Sequence, residues 1–158
     1  MFFISVIPEF IGRFHPVLVH LPVGILLLAV IFYFLSYKKK YEWIEPAVQL
    51  SLLIGTIAAI ASCITGYLLS DSGGYNAVLV SRHQWFGIGM TVVSLITYYV
   101  ASKKMSYFKW LMPLIGILII ITGHLGGSIT HGEGYLTKAF KEKNTTGEVS
   151  ATLIKDVQ

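Results

Sequence analysis

The chain has 158 residues, of which 54% are hydrophobic and only 13% charged, with a net charge of +4 at pH 7 and a mean hydropathy of +0.69. Soluble domains carry about 25% charged residues, so the composition excludes a water-soluble globule and a disordered chain and points to the membrane. It also excludes a nucleic-acid binder, since a small positive excess in so apolar a chain is loop charge, and a large soluble catalytic domain, since each span takes about 20 residues.

In chain order, residues 1–14 are apolar but carry Glu9 and Arg13 where a cleaved signal would have a basic start and a small-residue cleavage site. They read as a retained interfacial segment. Charge-free windows follow at about 15–36, 46–69, 84–102 and 108–126, each close to the length that crosses a bilayer. The expected fold is all-α: an integral membrane four-helix bundle over residues 1–136, with a polar tail over 137–158 in which a short ordered piece near 149–153 is expected. Lys38, Lys39 and Lys40 follow the first window and Lys103, Lys104 and Lys109 surround the third connection, whereas the 70–82 connection holds Asp71 and one arginine. By the positive-inside rule the lysine loops are cytoplasmic, which predicts a bacterial inner-membrane protein with both termini periplasmic. Tyr37, Tyr41, Trp43, Tyr98, Tyr99, Tyr107 and Trp110 gather at the lysine end, and Tyr67, Tyr75, Trp85 and Tyr135 at the other, as headgroup-level aromatics do. The lone cysteine, Cys63, cannot form an internal disulfide, and there is no CxxCH for c-type haem attachment. Gly55, Ala59 and Cys63, with Ala58, Ser62 and Gly66, form small-residue rows that let helices approach closely.

An internal repeat is visible. Ile64-Thr65-Gly66-Tyr67-Leu68 ends the second span and Ile121-Thr122-Gly123-His124-Leu125 the fourth, each followed by a Gly-Tyr pair, Gly74-Tyr75 and Gly134-Tyr135. His20-x3-Gly24-Ile25 opens the first span and His83-x3-Gly87-Ile88 the third. This predicts two repeated helical hairpins about a pseudo-two-fold axis along the membrane normal, with His20 and His83 equivalent.

All five histidines fall at one end: His15 and His20 open the first span, His83 opens the third, His124 closes the fourth and His131 lies in the adjoining loop. Polar groups at membrane depth are costly, so a one-sided cluster is a site hypothesis. Imidazoles without thiolate or carboxylate suit haem iron, Zn²⁺ or Cu²⁺. His15 and His20, five residues apart, point about 140° away from each other on a regular helix and cannot share one metal from it. A haem in a four-helix bundle takes one histidine from each of two helices. His20, His83 and His124 are the leading candidates for a cofactor or a metal ion, with His15 and His131 as a second pair. Arg13 and Arg82, the only arginines, are candidates for propionate contacts. The glycines around His124 serve equally as a cradle for a flat ligand or as a helix C-cap.

Arg13-Phe14-His15-Pro16-x3-His20-x-Pro22, His83, and Gly123-His124-x-Gly126-Gly127 with His131-Gly132 beyond resemble, over residues 12–135, a bacterial four-helix membrane domain family of unknown function. Related domains accompany planctomycete-type c-haem or Rieske-type iron–sulfur domains, so the resemblance implies a redox setting. No activity is assigned to the family. The expected function is electron transfer through b-type haem held near the periplasmic face, as a carrier more than a catalyst with its own substrate. A respiratory membrane complex or periplasmic cytochrome is the expected partner, besides membrane lipid. The alternatives are a periplasm-facing Zn or Cu site for metal handling and an accessory or scaffold subunit.

Overall fold

Two prolines set how the chain enters the bundle. In the computed structural model, which describes residues 2–71, 74–135, 137 and 138, with side chains from Ile7 on, helix α1 (Phe2–Gly12) leads through a turn into the short α2 (His15–Leu18) and then α3 (His20–Ser36). Pro16 sits in the first turn of α2, where a missing N–H is harmless. Pro22 cannot donate to the carbonyl four residues back, and the helix is interrupted at Val19 between α2 and α3. The 17 residues of α3 would span only about 26 Å, but the apolar run from Ile7 to Ser36 has 30 residues. A 3₁₀ turn over Lys39–Ile44 leads into α4 (Glu45–Ser70), followed by α5 (Ala77–Ser102) and α6 (Phe108–His131). Four helices are long and apolar enough to cross a membrane, and no strand occurs among the described residues.

Local signals fix the ends. Glu45 and Pro46 open α4, suiting the helix dipole and the free first-turn amides. Asn76 caps α5, its side-chain oxygen accepting from the Val78 and Leu79 amides at 3.0 and 3.2 Å. Helix α6 stops at Gly132, whose φ of +87° favours glycine. Two ends differ from the charge-free windows. Helix α5 begins at Ala77 and so carries Arg82, whose long side chain can reach water from a helix end. Helix α6 runs through Gly123, Gly126 and Gly127 to His131, so these glycines are helix interior and His131 is the last helical residue, not a loop residue. Within a bilayer, where water does not compete for the backbone, glycines do not end a helix. The 1–14 segment expected at the interface is largely α1, packed against α4. The ordered piece expected near 149–153 lies outside the described residues.

The spanning helices form a ring in which α3 packs on α4, α4 on α5, α5 on α6 and α6 on α3. Leu26, Leu52, Met112 and Ile115 fill its centre. The small-residue face of α4 does what its composition suggests: a Cβ on Gly55 would stand 2.6 Å from Leu26 Cδ2, so α3 packs where only glycine fits. The α4–α5 seam is tied by polar side chains, with Thr56 donating to Ser94 Oγ at 3.0 Å and Cys63 Sγ 3.3 Å from Thr91 Oγ1.

The repeat is present in a different register. Burial relates α3 to α5 by 68 residues, pairing Pro22 with Met90, Leu26 with Ser94, Ala29 with Thr97 and Tyr33 with Ala101. It relates α4 to α6 by 60, pairing Leu52 with Met112, Gly55 with Ile115, Ala59 with Ile119 and Ser62 with Thr122. The closing Gly-Tyr pairs obey the same spacing, and Gly74 and Gly134 both have positive φ, 88° and 74°. The counterpart of His83 is therefore His15, and His20 corresponds to Ile88.

Candidate functional site

The α2–α3 break turns His15 inward and leaves His20 exposed. The His15 ring lies against the end of α4: its Nδ1 donates to the Ser62 carbonyl at 3.0 Å, and a Cβ on Gly66 would stand only 2.9 Å from its Cε1. Thr65 Oγ1 is 3.5 Å from the same nitrogen. The second hairpin repeats the arrangement. His83 Nδ1 donates to the Thr122 carbonyl at 3.1 Å, and a Cβ on Gly126 would stand 3.2 Å from its Cε1. Ser62 matches Thr122, and Gly66 matches Gly126, in the 60-residue register. The two imidazoles meet across the pseudo-axis with ring centroids 6.2 Å apart and planes at 77°.

A carbonyl only accepts, so each Nδ1 carries the proton, and each neutral ring presents Nε2 as a lone pair. Neither Nε2 has a hydrogen-bond partner among the described residues. This is the arrangement of a ligating histidine, whose second nitrogen is held by a carbonyl that fixes the tautomer and raises basicity. Ser62, whose carbonyl holds His15, also has a buried hydroxyl oxygen with no hydrogen-bond partner among the described residues.

The remaining candidates are dispersed. His20, His83 and His124 do not converge: among the described residues no three His, Cys, Asp or Glu side chains group as metal ligands. His124 and His131 instead line a groove of about 380 Å³ along α6, where His131 stacks on Tyr135 at 4.5 Å. Arg13 forms an exposed ion pair with Glu9 at 2.6 Å, one turn back on α1, and Arg82 is exposed beside His83. The sequence identified His15 and His83 as candidates but missed what holds them, because the partners are backbone carbonyls and glycines. Gly66 and Gly126 were legible as small residues, but nothing in the sequence linked each to a histidine on another helix.

The profile of a family described as "Predicted membrane protein (DUF2231)" matches residues 13–138, which include both imidazoles and both glycine cradles. No curated protein and no solved structure matches the chain.

Proposed function

The chain belongs to the DUF2231 family of predicted membrane proteins, and from that premise and its paired imidazoles we propose that it is a b-type haem protein that carries electrons in a bacterial inner membrane. The observation that carries this reading is the His15–His83 pair, with each Nδ1 held by a carbonyl and each Nε2 unspent. The donor set fits haem better than a bare ion. A porphyrin brings four of the iron's ligands, so two imidazoles would be enough to hold it, whereas zinc takes three or four ligands from the protein. The two ring centroids lie 6.2 Å apart, near enough for both imidazoles to reach one iron.

Bound haem supplies a one-electron couple; the chain's part is to hold and tune it. His15 and His83 would hold the haem iron, and the Ser62 and Thr122 carbonyls orient the two rings. Gly66 and Gly126 leave the rings room, and the buried Ser62 hydroxyl offers a hydrogen bond beside them. Arg82 is the better placed arginine for a propionate, since Arg13 is engaged by Glu9. The histidine end then faces the periplasm, where a cytochrome or a respiratory complex accepts the electron. A second reading, an accessory subunit without a cofactor, draws on the same bonds: each imidazole ties the two helices of its hairpin and serves as a structural clasp.

A spectrum separates the two. The purified protein from haem-replete cells, oxidised and dithionite-reduced, is expected to show sharp reduced bands and stoichiometric protohaem by pyridine haemochrome. His15→Ala and His83→Ala each lose it, while His20→Ala retains it. A colourless wild-type protein, or full haem content in either of the first two variants, would refute the haem reading.

A further inference from the structure

The glycine-rich stretch of α6 serves two sites. Gly126 faces the His83 ring, and its neighbours Gly123 and Gly127 form part of the wall of the groove that carries His124 and His131. A Cβ on Gly123 or Gly127 would meet nothing within 4 Å, so this surface is open. Such a groove has no match on the first hairpin, where Cys63, Ile64 and Tyr67 stand at the positions of Gly123, His124 and Gly127.

His124 requires an explanation. It is exposed on a spanning helix at about 10 Å along the axis from the helix end, and its imidazole has no hydrogen-bond partner among the described residues. An unpartnered imidazole facing lipid is costly, so a partner is expected from outside the chain. The groove volume of about 380 Å³ lies within the range of small-molecule sites. Tyr135, stacked on His131 at 25°, also lines it.

We infer that this groove binds the head group of a membrane quinone, with the flat ring on the Gly123–Gly127 surface and its two oxygens hydrogen-bonded by His124 and His131. Two para oxygens about 5 Å apart, extended by hydrogen bonds of about 3 Å at each end, reach about 11 Å. The seven-residue rise from His124 to His131 is about 10 Å. The isoprenoid tail leaves through the lipid-facing side. The ring then lies on a face of α6 adjacent to the one that cradles His83, separated from it by a stretch of helix rich in glycine. The reduced quinol form would give up its two electrons one at a time, releasing two protons, to a haem held at His15 and His83, and this role rests on the haem reading; binding of the quinone does not.

The test uses the full chain in detergent and a short-chain ubiquinone, titrated calorimetrically. Saturable binding at one site is expected, weakened at least tenfold by Gly127→Leu, whose Cβ meets nothing within 4 Å and whose side chain enters the groove, and by His124→Ala. His124→Gln, which keeps a hydrogen-bond donor, should recover part of the loss. His15→Ala should bind the quinone normally even if it lacks haem, so failure of one reading is distinguishable from failure of the other. Absence of saturable binding in the wild type, or wild-type affinity in both Gly127→Leu and His124→Ala, would overturn the inference. So would a cross-linked dimer that Gly127→Leu dissolves in a protein that binds no quinone, since the groove would then belong to a second copy.

Discussion

Glycine decides how close the imidazoles can come to their helices, and the available space differs at each position. Alanine at Gly66 would place a methyl 2.9 Å from His15 Cε1, and at Gly126 3.2 Å from His83 Cε1. Gly66→Ala should displace its ring and lower haem content several-fold, with about 1–3 kcal/mol of overpacking partly offset by about 1 kcal/mol of helix propensity. Gly126→Ala should be milder, and the two are compared by haem-to-protein ratio and melting temperature. Gly12→Ala is expected to be the most disruptive of the three to folding, because its methyl would meet the backbone of Leu68 and Leu69 at 2.7–2.9 Å and backbone cannot yield. Gly116→Ala is the control: Val30 at 3.7 Å is ordinary contact, and melting should not fall. At this scale the sequence was informative about donors and silent about acceptors. A histidine announces itself by its chemistry; the Ser62 and Thr122 carbonyls have no side-chain signature, and only the fold brings them to His15 and His83.

At the scale of helices, the spans were legible because a bilayer demands apolar length, and their ends were less so because charge is a poor marker of where a helix stops. Arg82 ended a charge-free window yet lies on the second turn of α5, since capping by Asn76 sets the start. Asn76→Ala should therefore cost about 1 kcal/mol, visible as a lower melting temperature with haem content largely kept. The pairing of helices has its own test. Thr56→Ala and Ser94→Ala, singly and together, should give a coupling of about 0.6 kcal/mol across the α4–α5 seam, the usual scale for interhelical hydrogen bonds in membranes. Additive effects would mean that the hydroxyls are held by their own helices instead.

For the whole molecule, the existence of a duplicated hairpin was legible and its register was not. The match of His20-x3-Gly24 with His83-x3-Gly87 rests on shared residue types, whereas the folded equivalence rests on burial, which Leu26 and Ser94 or Ala29 and Thr97 share without resembling each other. Only the Gly-Tyr pairs carried the true spacing on their face, because positive φ restricts the residue that can stand there. Orientation is tested by replacing Cys63 with Ser and placing single cysteines at Ser81 and Ser102. A membrane-impermeant maleimide should label Ser81→Cys in intact spheroplasts and Ser102→Cys only after lysis; the reverse would invert the lysine-based assignment. The pseudo-two-fold arrangement also bears on biogenesis. Each hairpin contributes a single inward imidazole, so neither half can ligate a metal on both sides by itself. If haem sits between them, it would load only after the two halves have docked and its retention would report on their assembly: two polypeptides divided between α4 and α5 would then be colourless apart and coloured once recombined.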